Sequence, residues 1–175
     1  MEYILDMKDI EFDGDVLDIG KENHGVIYNL TKNSDDEICI DYVDILNTEK
    51  SNDFKTGVFF FTLSKIWRNS ERRELIKEVW EHIGDEGLLY IWDIEKRSKE
   101  IINIDIKVLM PKDKTKTFSY KDFNPINECT TELLKKILEN YFEIEETKFW
   151  DKIYFIKAKK RGRTLDESVI NSGKF

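Results

Sequence analysis

From Gly57 to Ile94 the chain reads strand, helix, strand, and that order restricts the folds open to it. "GVFFFTL" (57–63) is an unbroken apolar run, the pattern of a strand covered on both faces. "NSERRELIKEVWEHIGDEG" then sets Leu75, Ile76, Val79, Trp80 and Ile83 on one helical stripe. Ser70 is the expected N-cap, Glu71 and Glu74 suit the positive end of the helix dipole, and Gly84 or Gly87 is the expected stop. His82, on the same helix, is expected on its solvated side. "GLLYIWDI" (87–94) is the second buried strand. Strands alternating with helices in this way build a sheet sandwiched between layers.

The rest of the chain extends the alternation. "DVLDIG" (15–20) is a strand ending at a glycine, His24–Asn33 carries Val26, Ile27, Tyr28 and Leu30 at helical spacing, and "EICIDY" (37–42) is another strand. After Ile94 the pattern changes. "EIINIDIKVLM" (100–110) and "TKTFSYKDF" (115–123) alternate apolar with polar around "PKDK", which predicts an antiparallel hairpin with one wet face. "CTTELLKKILENY" (129–141) is a capped amphipathic helix, and "FEIEETKFW" with "KIYFIKAKK" forms a terminal strand pair turning near Trp150–Asp151. The expected architecture is α/β: a three-layer sandwich on a mostly parallel sheet with a C-terminal antiparallel strand pair. Residues 1–160 form one domain, with 100–123 as an inserted β-hairpin, and 161–175 read as a polar tail.

Composition narrows the function classes. A chain of 175 residues with 40% apolar and 13% aromatic residues has material for one buried core. The net charge of −8 argues against a nucleic-acid partner, which calls for a basic face. "KAKKRGR" (157–163) is read as a strand exit with solvated lysines rather than a nucleic-acid contact. Cys39 and Cys129 stand far apart, which fits a reducing compartment and no disulfide framework. The first twelve residues mix acids with apolar groups, unlike a signal peptide, and no apolar run approaches membrane-spanning length. A soluble, cytoplasmic protein without a membrane partner is expected. Two histidines and two cysteines at these separations form no metal cluster. "GKENHG" (20–25) lacks the Gly-Lys-Ser/Thr of a phosphate loop and is not a dinucleotide fingerprint.

The order of elements over residues 10–160 resembles the class I S-adenosylmethionine-dependent methyltransferases, as a divergent member. "VLDIG" (16–20) is similar to that family's first motif, "ICIDY" (38–42) to its second strand, and "GVFFFTLSKIW" (57–67) to its fourth strand. "TTELLKKILENYFEIEE" and "YFIKAKK" are similar to its last helix and hairpin. The resemblance implies a Rossmann-like methyltransferase sheet, S-adenosylmethionine as cofactor and a small-molecule acceptor. It assigns cofactor contacts to Asp18, Gly20, Lys21 and Gly25 in the first loop, to Asp41 at the ribose, and to Phe61 and Thr62 beside the acceptor. Their chemistry suits those places. Glycine admits a ligand close to the backbone, helix N-terminal amides accept a carboxylate, and an acceptor-only aspartate takes both hydroxyls of a ribose. Phe59, Phe60, Phe61, Trp67 and Trp92 suit a sulfonium by cation–π contact, although such a run first serves a core.

Three features depart from the family pattern. Glu22 and His24 stand where the loop usually carries further glycines, so side chains enter space that a ligand needs, and Glu22 faces the cofactor's own carboxylate unless Lys21 offsets it. Thr56–Gly57 replaces an aspartate at the start of the fourth strand. The stretch from Asp41 to Val58 is too short for a crossover and a third strand, so loss of that strand is expected, with Asp44 a weak substitute for its acid. Bland readings stand beside each residue: Asp18 and Gly20 end a strand, Asp41 sits in a turn, and His24 is a polar helix start more readily than a general base. Two function classes follow. One is a methyltransferase; the alternative is a catalytically inactive interaction or scaffold module of the same fold. The 100–123 hairpin could then serve as a lid or as a homodimer contact.

Overall fold

A computed structural model describes residues 1–20, 22, 24–32, 40–42 and 54–162. The larger sheet has six strands. These are β2 (Val16–Ile19), β3 (Ile40–Tyr42), β4 (Phe54–Phe60), β5 (Ile83–Ile94), β8 (Phe142–Trp150) and β9 (Ile153–Lys160). The spatial order is β3-β2-β4-β5-β9-β8. The first four strands run parallel, in register Leu17↔Asp41, Ile19↔Phe59 and Phe59↔Ile91; β9 and β8 join antiparallel. The mostly parallel sheet with a C-terminal antiparallel pair is thus present.

The sheet divides two cores. On one face, α2 (Asn69–His82) and α3 (Thr131–Leu138) pack Ile76, Val79, Leu134 and Leu138 against Leu17, Phe59, Ile91 and Ile156. On the other, α1 (Val26–Lys32) lies with a second, three-stranded sheet against Val16, Val58, Phe60 and Trp92. That second sheet goes beyond the expected hairpin. The strands β6 (Ile102–Leu109) and β7 (Thr115–Asp122) pair antiparallel, and β1 (Glu2–Asp6) adds in parallel along β6, Glu2 opposite Asp105. Its inward side chains, Ile104, Ile106, Val108, Phe118 and Tyr120, are all buried in the shared core. The insertion is a layer of the sandwich.

Three local expectations are corrected. The helix α2 begins at Asn69 with Arg68 as its cap residue and no side-chain cap bond, so Ser70 lies inside its first turn. It stops at His82 without a glycine, because Ile83 turns directly into the extended backbone of β5. Glu86 carries the positive φ (63°) of the irregular start of that strand. His82 is 1% exposed, with no hydrogen-bond partner at Nε2 among the described residues, rather than solvated. The α3 cap follows its sequence: the Thr130 hydroxyl accepts from the Leu133 amide at 3.3 Å. The region of the expected missing strand, 43–53, and the tail beyond Gly162 lie outside the described residues, as does Cys39.

Candidate active site

In a parallel sheet the free backbone at the strands' carboxyl ends lies where connections diverge, and β2 is that place here. The chain leaves β2 toward β3 on one side and returns to β4 on the other. Asp18 and Gly20 end β2; Phe61 and Thr62 follow β4. The Thr62 hydroxyl donates to the Ile19 carbonyl at 2.9 Å, joining the two strand ends. A side chain at Gly20 would meet Thr62 Oγ1 at 2.8 Å, so glycine is what allows this approach. Gly25, at φ 70°, opens α1, its carbonyl accepting from the Asn29 amide at 3.1 Å.

Of the expected site residues, the structure gathers Asp18, Gly20, Phe61 and Thr62, with Gly25 at the adjacent helix start. Asp41 is in register with Leu17 on β3, one residue short of the strand end, and its side chain lies outside the described residues, as does Lys21.

Asp18 is the electrostatic centre of this group. It is 2% exposed, and its Oδ2 has no hydrogen-bond partner among the described residues. Burial with too little compensation favours the neutral acid, pushing its pKa up to about 7. Phe61 is buried with φ at 52°, a left-handed conformation rare for an aromatic residue, held by its amide donating to the Trp92 carbonyl at 2.7 Å.

Two contacts cross the group. Lys65, in the short 3-10 turn after β4, forms an ion pair with Glu22 at 2.6 Å, which lowers the Glu22 pKa. The His24 ring stacks on Phe118 of β7, centroids 4.0 Å apart and planes within 9°. Burial, then the charge of Lys65, holds the imidazole pKa below its ordinary value, with smaller opposing and aiding effects from Glu22 and Lys116.

Behind the site lies a buried polar network that sequence reading missed. Tyr120 of β7 donates to Ser64 Oγ at 2.7 Å, Ser64 donates to Asp93 at the end of β5, and the Ser64 amide donates to Asp93 at 3.0 Å. Burial raises the Asp93 pKa against the lowering effect of these donors. Arg72 of α2, 1% exposed, donates to the Leu63 carbonyl (3.0 Å), Asn69, the Glu128 carbonyl and Asn127 (2.9 Å). Lys96 is fully buried against Asp122 at 3.1 Å. These bonds fasten the turn after β4 to both β7 and the segment that follows it. One signal was present: Arg72 stands four residues before Ile76, on the helix's apolar stripe.

The sheet order, the divergence at β2 and the helices α2 and α3 on one face define the class: this chain has the class I S-adenosylmethionine-dependent methyltransferase fold. It is similar to the PH0226 protein of Pyrococcus horikoshii OT3 at 13% identity, covering 85% of this chain and 82% of that one, with a TM-score of 0.59. It is also similar to an S-adenosylmethionine-dependent methyltransferase from Mesorhizobium loti at 9% identity, covering 83% and 90%, with a TM-score of 0.55. A third likeness is to S-adenosylmethionine-bound CalS10, an amino pentose methyltransferase from Micromonospora echinaspora, at 11% identity over 85% and 84% of the chains, TM-score 0.53. No protein-family model matches the chain, and no match is found among curated proteins. No described helix is long and apolar enough to cross a membrane.

Proposed function

We propose that the chain binds S-adenosylmethionine at the β2–β4 strand ends and transfers its methyl group to a small-molecule acceptor. One observation carries the reading. Asp18, a buried acid whose Oδ2 has no hydrogen-bond partner among the described residues, lies where the parallel strands diverge, beside Gly20, whose lack of a side chain makes room for Thr62. A protein tolerates such an orphaned acid for function more readily than for stability. The cofactor carries an ammonium and a sulfonium, and a cation there offsets the cost of ionising Asp18. Phe61 and Thr62, which follow β4, are assigned to the transfer side. In-line transfer from a sulfonium needs chiefly positioning and exclusion of water, so the reading requires no dedicated base.

S-adenosylmethionine, when bound, supplies the activated methyl group. Asp18 and Gly20 hold its amino-acid end, Gly25 presents the amides of the α1 start, Asp41 holds the ribose, and Thr62 orients the β4 side of the crevice. Isothermal titration with S-adenosylmethionine tests this. Micromolar binding that weakens at least tenfold in Asp41→Ala is expected. No heat at millimolar ligand would overturn the reading and leave the interaction module.

A further inference from the structure

We propose that Glu22 and His24 are internal occupants of this site, their side chains filling an anion position on Lys65 and a ring-stacking position on Phe118 that a ligand must take over. The inference rests on the functional reading above and adds a regulation to it. Two side chains from one short stretch of chain reach two different elements. Glu22 meets the turn after β4, and His24 meets β7 of the second sheet. Both side chains come from the stretch just after Gly20, and the Lys65 that Glu22 meets lies just beyond Thr62, whose hydroxyl donates to the Ile19 carbonyl.

The two halves of these contacts differ in how firmly they are held. Of the two receivers, Phe118 is fixed and Lys65 is a partly exposed side chain. Phe118 is buried among Phe60 and Phe61, and Tyr120, two residues on, is bonded through Ser64 to Asp93; Lys96 and Asp122 lock the end of the same strand. The occupying side is loosely held. The Glu22 and Lys65 side chains are 65% and 40% exposed, and an exposed pair is exchanged for another anion at little cost. His24 sits at φ 51°, a conformation that a non-glycine residue leaves readily once its ring contact is broken. What Lys65 and Phe118 select together is a planar ring joined to a carboxylate or phosphate. Lys116, which also acts electrostatically on His24, adds positive charge on the same side of a chain whose net charge is −8.

The test uses the full chain, S-adenosylhomocysteine as probe, and the variants Glu22→Gln and His24→Gly, singly and together. Glycine accommodates φ 51° without strain and Glu22 is exposed, so both variants fold. Each contact is weak, and removing both tightens binding by about tenfold. Equal or weaker affinity in the double variant overturns the internal-occupant inference while leaving cofactor binding intact. Absence of binding in every protein overturns both. A second readout keeps the two apart: the His24 imidazole proton resonances of the wild type lie upfield under the Phe118 ring and move downfield on saturation. Resonances unmoved by bound probe overturn the inference.

Discussion

Replacing Asp18 with asparagine changes the pH dependence of stability, and the sign follows from where the acid ionises. The folded chain holds this carboxyl protonated up to about pH 7, against 3.8 for an ordinary aspartate. Between those values folding takes up a proton, so Asp18 makes the fold less stable as pH rises, and the loss levels off above 7. Each pH unit in the window costs about 1.4 kcal/mol, so the two units between 5 and 7 amount to about 3 kcal/mol. Asparagine keeps the shape without the titration. Its own buried amide shifts stability by a fixed amount of about 1–3 kcal/mol, and that offset does not vary with pH. Urea melts of both proteins at pH 5 and pH 8 separate the two effects. The variant should gain about 3 kcal/mol relative to the wild type between them, or roughly 10 °C in melting temperature for a chain of this size. A gap that stays constant across that range refutes the argument, because Asp18 would then already be ionised and compensated in the fold.

Arg72→Met keeps the apolar stem but strips donors from the Leu63 and Glu128 carbonyls and from Asn127. It should cost about 3 kcal/mol by chemical denaturation and loosen the turn that carries Thr62 and Lys65. The turn between β6 and β7 places Lys112 and Asp113 both at positive φ, 59° and 57°. Lys112→Asn with Asp113→Gly supplies residues suited to those angles, and a thermal melt should show a gain of about 0.5–1 kcal/mol with ligand affinity unchanged.

How much of this could be read beforehand depended on whether a residue's fate was set locally. The strands "VLDI", "GVFF" and "LLYIWDI" announced themselves because burial on both faces demands unbroken apolar runs. Gly20 and Asp18 were legible as a strand end for the same reason. Arg72 was not, because its charge argued for the surface, and only acceptors at Asn127 and Glu128, far along the chain, make its burial tolerable. The burial of His82 is not legible for a related cause: the chain turns into β5 immediately after it, so the last helical turn is covered. The strand β1 leaves little mark in the sequence because Leu5 is its one buried residue, too thin a pattern to separate from a loop. Glu22 and His24 read as intrusions into the loop, but their partners, Lys65 and Phe118, lie in elements distant along the chain.

The pairing of β1 with β6 joins Glu2 to Asp105 and Asp6 to Leu109, neighbours far more distant along the chain than any β6–β7 pair of the smaller sheet. During synthesis the opening strand leaves the ribosome long before its template exists, and it waits with its backbone unprotected until Leu109 has emerged. Late closure of this kind slows folding and gives a second nascent chain the opportunity to donate its own first strand instead. At high expression, exchange of residues 2–6 between copies is therefore the assembly error that this topology most invites.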